Sequence, residues 1–162
     1  MADFSKLFVL VVDDNEPMQR IVHTILEAFG VTRVIYATDA DQAVGILETE
    51  PVDIVICDEI MPNMTGSEFC RAVRTSDKIN PHLPIIILTA FANRNNVIKA
   101  RDAGATEFCA KPVSIQTLFN RIAAVIDRPR PFVRATSFVG PDRRRSLGPT
   151  SNGLTRRESD NG

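Results

Sequence analysis

The sequence predicts an α/β domain built on a doubly wound parallel sheet, and three observations indicate it. Five short apolar runs recur within residues 1–126, and each is followed by a stretch with helical spacing. Most of these runs are apolar at consecutive positions, as in strands covered on both faces of a parallel sheet. Strand–helix units of this size imply right-handed crossovers with helices on both faces.

The first two units occupy the N-terminal third of the domain. The unbroken apolar run from Leu7 to Val12 predicts the first strand, and Pro17 suits the first turn of the helix after it. Apolar residues follow at helical spacing until Gly30 ends that helix. Thr32 to Ala37 is shorter and more polar, which predicts a strand nearer the sheet edge, and a helix is predicted from about residue 39 to 48.

The third and fourth strands are predicted at Asp53–Cys57 and Pro84–Leu88. Between them, Thr65 and Glu68 have the spacing of a capping box, which predicts that a helix starts there. Its inner face would carry Phe69 and its apolar neighbours.

The last units complete the alternation. A helix is predicted from about Asn93 to Ala103, where Gly104 ends it. Glu107–Ala110 predicts a short fifth strand, and Ser114 is the expected N-cap of the last helix.

The charge distribution divides the chain at about residue 127. From Asp127 onward eight arginines oppose four acidic residues, whereas the preceding part carries 11 basic and 16 acidic residues. Prolines and glycines interrupt this last segment repeatedly. The sequence therefore predicts a domain over residues 1–126 and a basic, mostly disordered tail over residues 127–162.

Cysteine usage and the N-terminus bear on location. Cys57, Cys70 and Cys109 are an odd number without metal-ligand spacing, and core packing is favoured over a redox or metal role. The first apolar run breaks after six residues at Asp13, which is too short for a signal peptide or a membrane span. A cytoplasmic protein is expected.

Polar side chains follow four of the five predicted strands. Asp13 and Asp14 follow the first strand, Asp58 the third, Thr89 the fourth and Lys111 the fifth. Because ligands bind outside the carboxyl ends of the strands in such a sheet, we expect these groups to converge in one cleft.

The chemistry of these groups points to phosphoryl transfer. Three carboxylates in one cleft repel each other, and a hard divalent cation such as Mg²⁺ or Mn²⁺ would relieve that repulsion. A hydroxyl and an ammonium group suit the oxygens of a phosphate, and a carboxylate beside the cation can accept a phosphoryl group. Each residue alone has an ordinary explanation, such as a helix cap, but their coincidence in one cleft favours the functional one.

The chain resembles the receiver (CheY-like) domain of bacterial two-component response regulators, of the single-domain type with a C-terminal tail. The matching segments are LVVDD (10–14), CDEIMPNMTG (57–66), ILTA (87–90) and FCAKP (108–112), and the resemblance extends over residues 5–126. The resemblance implies a flavodoxin-like sheet with strand order 2-1-3-4-5 and five helices.

The resemblance also implies site roles. Asp58 would be the phosphoacceptor, which a histidine kinase or a histidine phosphotransfer protein would phosphorylate. Asp14 would bind Mg²⁺ (or Mn²⁺) directly and Asp13 through water, while Asp58 and the backbone carbonyl of Ile60 would complete the protein's ligands.

Other residues would bind the phosphoryl group or respond to it. Thr89 and Ala90 match the switch segment, and Lys111 matches the phosphate-binding lysine. Phe108 matches an aromatic residue that moves inward on phosphorylation, although a plain core phenylalanine explains it equally well. The Lys111–Pro112 bond is cis in many relatives.

Ile60 and Phe91 lead to a kinetic hypothesis. They lie two residues beyond Asp58 and Thr89 and should flank the approach to the phosphoryl group. Because neither side chain can orient an attacking water, slow self-dephosphorylation is expected.

The tail carries a basic cluster, Arg143, Arg144 and Arg145, within SFVGPDRRRSL (137–147). It could dock on the acidic domain, a partner, anionic lipid or nucleic acid, or simply remain solvated. Because 36 residues without periodicity cannot form a winged helix or a helix-turn-helix, output through phosphorylation-dependent binding of a downstream protein is expected.

Two alternatives remain open at this point. The protein could be a phosphorelay intermediate rather than an output switch. A Mg²⁺-dependent phosphatase with an aspartyl-phosphate intermediate is disfavoured, because Ile60 stands where such enzymes usually keep a second acid.

Overall fold

The computed structural model describes residues 4–127, 132–135 and 138–141. Five parallel strands form one sheet in the order β2-β1-β3-β4-β5, which confirms the predicted fold class. Each strand begins and ends within one residue of its predicted bounds. The strands are β1 (Phe8–Val12), β2 (Arg33–Ala37), β3 (Ile54–Asp58), β4 (Ile85–Thr89) and β5 (Glu107–Ala110).

Five helices alternate with these strands. Their first turns are capped by side-chain oxygens that accept the N–H three residues further on, as Asn15 does from Met18 and Asp39 from Gln42. Such caps stabilise a helix by about 1 kcal/mol each, so the chain's own N-cap residues explain where the helices begin. The helices are α1 (Glu16–Ala28), α2 (Ala40–Thr49), α3 (Gly66–Thr75), α4 (Arg94–Asp102) and α5 (Ile115–Asp127).

The alternation of side chains along the strands divides the core into two layers. Leu10, Val55 and Ile87 belong to a buried cluster that also contains residues of α2, α3 and α4. Their neighbours along the strands, such as Val9 and Ile56, belong to a second cluster with α1 and α5. The sheet is therefore buried on both faces, which is why its strands read as continuous apolar runs.

The strand register brings the carboxyl ends to one edge. Val12 pairs with Ala37 on one side and with Cys57 on the other. Asp58 pairs with Leu88, and Thr89 pairs with Ala110. Residues that follow β1, β3, β4 and β5 are consequently neighbours along that edge.

Arg74 at the C-terminal end of α3 is a buried cation with several acceptors. Only 1% of the residue is exposed, and burial lowers the pKa of its guanidinium. Because buried polar groups are costly without hydrogen bonds, this side chain fastens α3 to the segments that precede β4 and β5. Its bonds are Nε to the Gly104 oxygen (2.9 Å), Nη1 to the Pro81 and Leu83 oxygens (2.9 and 2.5 Å) and Nη2 to Thr106 Oγ1 (3.3 Å).

All three cysteines are free thiols buried in the two core clusters. Burial raises the pKa of each thiol, to about 11 for Cys70 and well above the ordinary value for Cys57. These environments confirm the prediction of core packing.

Two short strands lie in the segment predicted as a tail. β6 (Phe132–Ala135) and β7 (Phe138–Pro141) pair antiparallel, and β7 contacts α3. Gly140 and Pro141 are buried. The sequence predicts no strand here, because each apolar pair is too short to show a period and prolines and arginines surround both. The predictions for Arg143, Arg144 and Arg145 lie outside the described residues.

None of the helices in the described part of the chain combines the length and the apolar character needed to cross a membrane.

Candidate functional site

Asp58 is the last residue of β3, a strand whose five residues are all buried. Only 6% of Asp58 is exposed. The backbone continues the ladder for one more residue, because Glu59 N donates to the Leu88 oxygen at 2.9 Å. The rigid centre of the sheet therefore sets the position of this carboxylate.

Gly66, the first residue of α3, allows that helix to start directly beside Asp58. A Cβ built on Gly66 would lie 2.6 Å from the Asp58 backbone oxygen and 3.1 Å from Glu59 Cα. No side chain fits in that space, so a glycine is required for this close approach.

Three carboxylates meet at the strand ends. Asp13, Asp14 and Asp58 each offer an oxygen, and these oxygens all lie within 4.8 Å of one another. Asp13 and Asp58 are buried, whereas Asp14 is exposed. The structure thus brings together the acidic residues that the sequence analysis places in one cleft.

Asp13 is fixed by hydrogen bonds on three sides. Its N donates to the Ala37 oxygen (3.0 Å), its Oδ1 accepts from Asn15 N (2.9 Å), and its backbone oxygen accepts from Gln19 Nε2 (2.6 Å). Burial raises the pKa of the Asp13 carboxyl; the Asn15 N–H lowers it, and the negative charge of Asp58 raises it again. An added cation at this point would stabilise the ionised form.

Lys111 contacts the phosphoacceptor candidate directly. Its Nζ lies 2.9 Å from Asp58 Oδ1. The lysine follows β5, and its backbone N donates to the Thr89 oxygen at 2.8 Å, which ties it to the end of β4. The Lys111–Pro112 peptide is cis.

Thr89 and Ala90 complete the edge on the side of β4. Thr89 is 1% exposed, and its Oγ1 accepts a hydrogen bond from Phe91 N at 3.1 Å. Ala90 is exposed. Phe108 in β5 is partly buried against the cluster that contains α3 and α4.

Two large apolar side chains are exposed near these strand ends. Ile60 is 60% exposed and Phe91 is 62% exposed. Ile60 follows Asp58 by two residues, and Phe91 follows Thr89 by the same interval. Both side chains are consequently accessible from solvent.

The donor set fits a hard divalent cation. The three candidate ligands are all carboxylates, with no cysteine or histidine among them, and oxygen ligands are those that Mg²⁺ and Mn²⁺ prefer. The cationic Lys111 contacts one of them, which leaves the three charges only partly balanced.

One feature of this site is not predicted from the sequence. The Glu59 carboxylate accepts hydrogen bonds from the backbone N and the hydroxyl of Ser67, both at 3.0 Å. The sequence does show a second acidic residue, Glu59, directly after Asp58. Its hydrogen-bond partner, however, depends on where α3 starts.

Fold and site together define a class: an α/β domain with an acidic cluster, a hydroxyl and a lysine at the carboxyl edge of its sheet. A family model described as "Response regulator receiver domain" matches residues 9–123. The chain belongs to this family.

Relatives and solved structures agree. The chain is 35% identical over 120 residues to the chemotaxis protein CheY of Pseudomonas aeruginosa. The matched region covers 74% of this chain and 96% of the relative. The chemotaxis response regulator CheY4 of Vibrio cholerae superposes with a TM-score of 0.67 at 31% identity, over 74% of this chain and 98% of that one.

A further neighbour is the receiver domain of a sensor histidine kinase from Pseudomonas aeruginosa, whose structure has a magnesium ion coordinated in the active site cleft. It superposes with a TM-score of 0.67 at 28% identity, over 75% of this chain and 98% of that one.

Proposed function

We propose that this protein is a single-domain response regulator in which Asp58 accepts a phosphoryl group from the phosphohistidine of a histidine kinase or a histidine phosphotransfer protein. The phosphorylated form then binds a downstream protein. The observation that carries the proposal is the position of Asp58, at the end of the buried strand β3 and within 2.9 Å of Lys111 Nζ. Membership of the receiver family supports it.

Asp13, Asp14 and Asp58 are the side chains that we propose as ligands of Mg²⁺ (or Mn²⁺), together with the backbone carbonyl of Ile60. Their oxygens lie within 4.8 Å of one another, and the related kinase receiver domain coordinates magnesium in its cleft. When bound, the cation supplies positive charge that offsets the carboxylates and the transferring phosphoryl oxygens.

The transfer exchanges one bond for another. A carboxylate oxygen of Asp58 forms a bond to phosphorus while the P–N bond to the donor histidine breaks, and the electron pair of that bond stays on the imidazole ring. Lys111 stabilises negative charge on the phosphoryl oxygens. The Thr89 hydroxyl and the Ala90 N–H donate hydrogen bonds to those oxygens. The accompanying shift of Phe108 changes the surface that a partner binds.

Incubation with acetyl phosphate and Mg²⁺ tests whether Asp58 is the phosphoacceptor. The wild type is expected to gain the mass of one phosphoryl group, and that group is expected to be labile to hydroxylamine, as acyl phosphates are. Asp58→Asn should gain none. Full phosphorylation of Asp58→Asn would overturn the assignment.

A pull-down with the beryllofluoride-activated protein, the unactivated protein and Asp58→Asn tests the output. Proteins retained only by the activated form would be the downstream targets. Onward transfer of the phosphoryl group to a histidine phosphotransfer protein would instead identify a phosphorelay intermediate. Sustained turnover of a generic phosphate ester, abolished in Asp58→Asn, would identify a phosphatase.

A further inference from the structure

The N-terminus of α3 has hydrogen-bond partners both within its own first turn and in Glu59. The first four N–H groups of a helix, counted from the N-cap, lack partners within the helix. In α3 all four are satisfied, two by the capping box and two by Glu59. The bonds are Thr65 N to Glu68 Oε1 (2.8 Å), Glu68 N to Thr65 Oγ1 (3.0 Å), Gly66 N to the Glu59 oxygen (2.9 Å) and Ser67 N to Glu59 Oε1 (3.0 Å).

Glu59 is also joined to the sheet. Its backbone N donates to the Leu88 oxygen at 2.9 Å, so the residue is part of the edge formed by β3 and β4. The Ser67 hydroxyl lies within hydrogen-bonding distance of both carboxylate oxygens, at 3.0 and 3.2 Å. A carboxylate at a helix N-terminus is further stabilised by the helix dipole. One residue therefore fastens the sheet edge to α3.

The residue after Glu59 is Ile60, whose backbone carbonyl is a proposed ligand of the cation. On its other side Met61 is 8% exposed and belongs to the core cluster, with its Sδ 3.9 Å from Cys57 Sγ. The Ile60 backbone is thus held between two anchored residues, although its own side chain is 60% exposed.

We propose that Glu59 is a positioning residue, whose carboxylate clamps α3 to the end of β3 and so holds the Ile60 carbonyl in place for the divalent cation. The proposal rests on the metal site put forward under the proposed function. Groups behind the direct ligands commonly change metal affinity by about 10- to 100-fold.

Two variants separate the clamp from a simple effect of charge. Glu59→Asp keeps the negative charge but is one methylene too short to reach Ser67. Glu59→Gln loses the charge but keeps the length and an oxygen that can accept from Ser67 N. The clamp predicts that Glu59→Asp weakens Mg²⁺ binding about tenfold and that Glu59→Gln stays close to wild type, whereas a charge effect predicts the reverse order.

Glu68→Gln is the matched control. It removes a carboxylate from the same helix end, where Glu68 accepts from Thr65 N, but it leaves the Glu59–Ser67 contacts intact. We expect its Mg²⁺ affinity to equal that of the wild type. An affinity loss in Glu68→Gln as large as in Glu59→Asp would mean that any damage to this helix end weakens the site, and the specific role of Glu59 would be wrong.

Calorimetric titration of the full chain with Mg²⁺ gives the affinities. Hydrogen exchange of the Gly66 and Ser67 amides, measured without metal, gives an independent readout and is expected to speed up in Glu59→Asp. Wild-type affinity in Glu59→Asp would overturn the proposal. If the wild type binds no Mg²⁺, the proposed metal site itself fails, and unchanged amide exchange in Glu59→Asp would show separately that there is no clamp.

Discussion

Asp58 and Ile60 illustrate how two positions only two residues apart acquire opposite environments. Asp58 is 6% exposed and ends a strand inside the sheet, whereas the Ile60 side chain is 60% exposed. The first is held in place by the sheet, because β3 lies between β1 and β4 and Asp58 itself pairs with Leu88. The exposed Ile60 side chain can influence how molecules from the solvent approach the Asp58 carboxylate.

Ile60 is expected to slow the loss of the phosphoryl group. Its side chain offers no hydrogen bond to an attacking water, and neither does that of Phe91, which is equally exposed. Ile60→Asn should therefore shorten the lifetime of phosphorylated Asp58, by about tenfold if an oriented water is gained. The decay is measured on protein freed of the phosphodonor.

Ile60→Leu serves as the control, since it keeps an apolar side chain of equal size. Its lifetime should match the wild type. An asparagine variant that decays no faster would refute the explanation.

Tyr36 is expected to titrate abnormally. Its hydroxyl contacts His23 Nδ1, and burial, followed by the negative charge of Glu27, raises the pKa of the phenol above its ordinary value of 10.0. The native state therefore keeps the proton at a pH at which the unfolded chain has lost it. The stability that this group contributes is present below the ordinary pKa and is lost as the pH rises through the native value.

Ultraviolet absorbance can follow this titration without interference, because Tyr36 is the only tyrosine and the chain has no tryptophan. The native midpoint should lie above the midpoint in denaturant, and Glu27→Gln should lower it. Identical midpoints in the two states would contradict the assignment.

At the scale of the element, the packing of α3 against β3 leaves no room at Gly66. The Cβ of Gly66→Ala would lie 2.6 Å from the Asp58 backbone oxygen, so the helix would have to move. Overpacking of this kind costs about 1–3 kcal/mol of unfolding free energy. Urea unfolding measures the loss.

Gly45→Ala provides the comparison within a neighbouring helix. Gly45 lies inside α2, and a Cβ there meets nothing within 4 Å. Since alanine has a higher helix propensity than glycine, this variant should be more stable by about 0.5–1 kcal/mol. If both substitutions changed the free energy of unfolding in the same direction, the close approach at Gly66 would not explain the effect of Gly66→Ala.

At the scale of the whole molecule, strand β7 extends the packing beyond the predicted domain boundary at residue 126. β7 contacts α3, and Gly140 and Pro141 are buried. A chain that ends at Asp127 should therefore show faster hydrogen exchange in α3 than the full chain, because the cover of that helix is missing. Exchange followed by mass spectrometry of α3 peptides checks this.

A chain that ends at Pro141 is the matched control, because it keeps β6 and β7 but lacks Arg143, Arg144 and Arg145. It should protect α3 as well as the full chain does. Equal exchange in both truncated chains would show that β7 does not protect the helix. Loss of a partner from both truncated chains would indicate that residues beyond Pro141 contribute to its binding.

The sequence by itself determined the five strands of the parallel sheet, the five helices and the candidate residues at the strand ends. Apolar runs such as Leu7–Val12 and caps such as Thr65 are local signals, because burial on both faces and the unpaired N–H groups of a helix leave their mark within a few residues. For the same reason the sequence assigns Asp13, Asp58, Thr89 and Lys111 to one edge of the sheet.

Only the tertiary structure decided which of these groups touch. The 2.9 Å contact of Lys111 with Asp58, the Glu59–Ser67 hydrogen bonds and the cover of α3 by β7 each join residues on different elements. Such contacts depend on strand order, on register and on the point where a helix starts against the sheet. Those quantities are set by packing over the whole core, and a local pattern of residue types does not contain them.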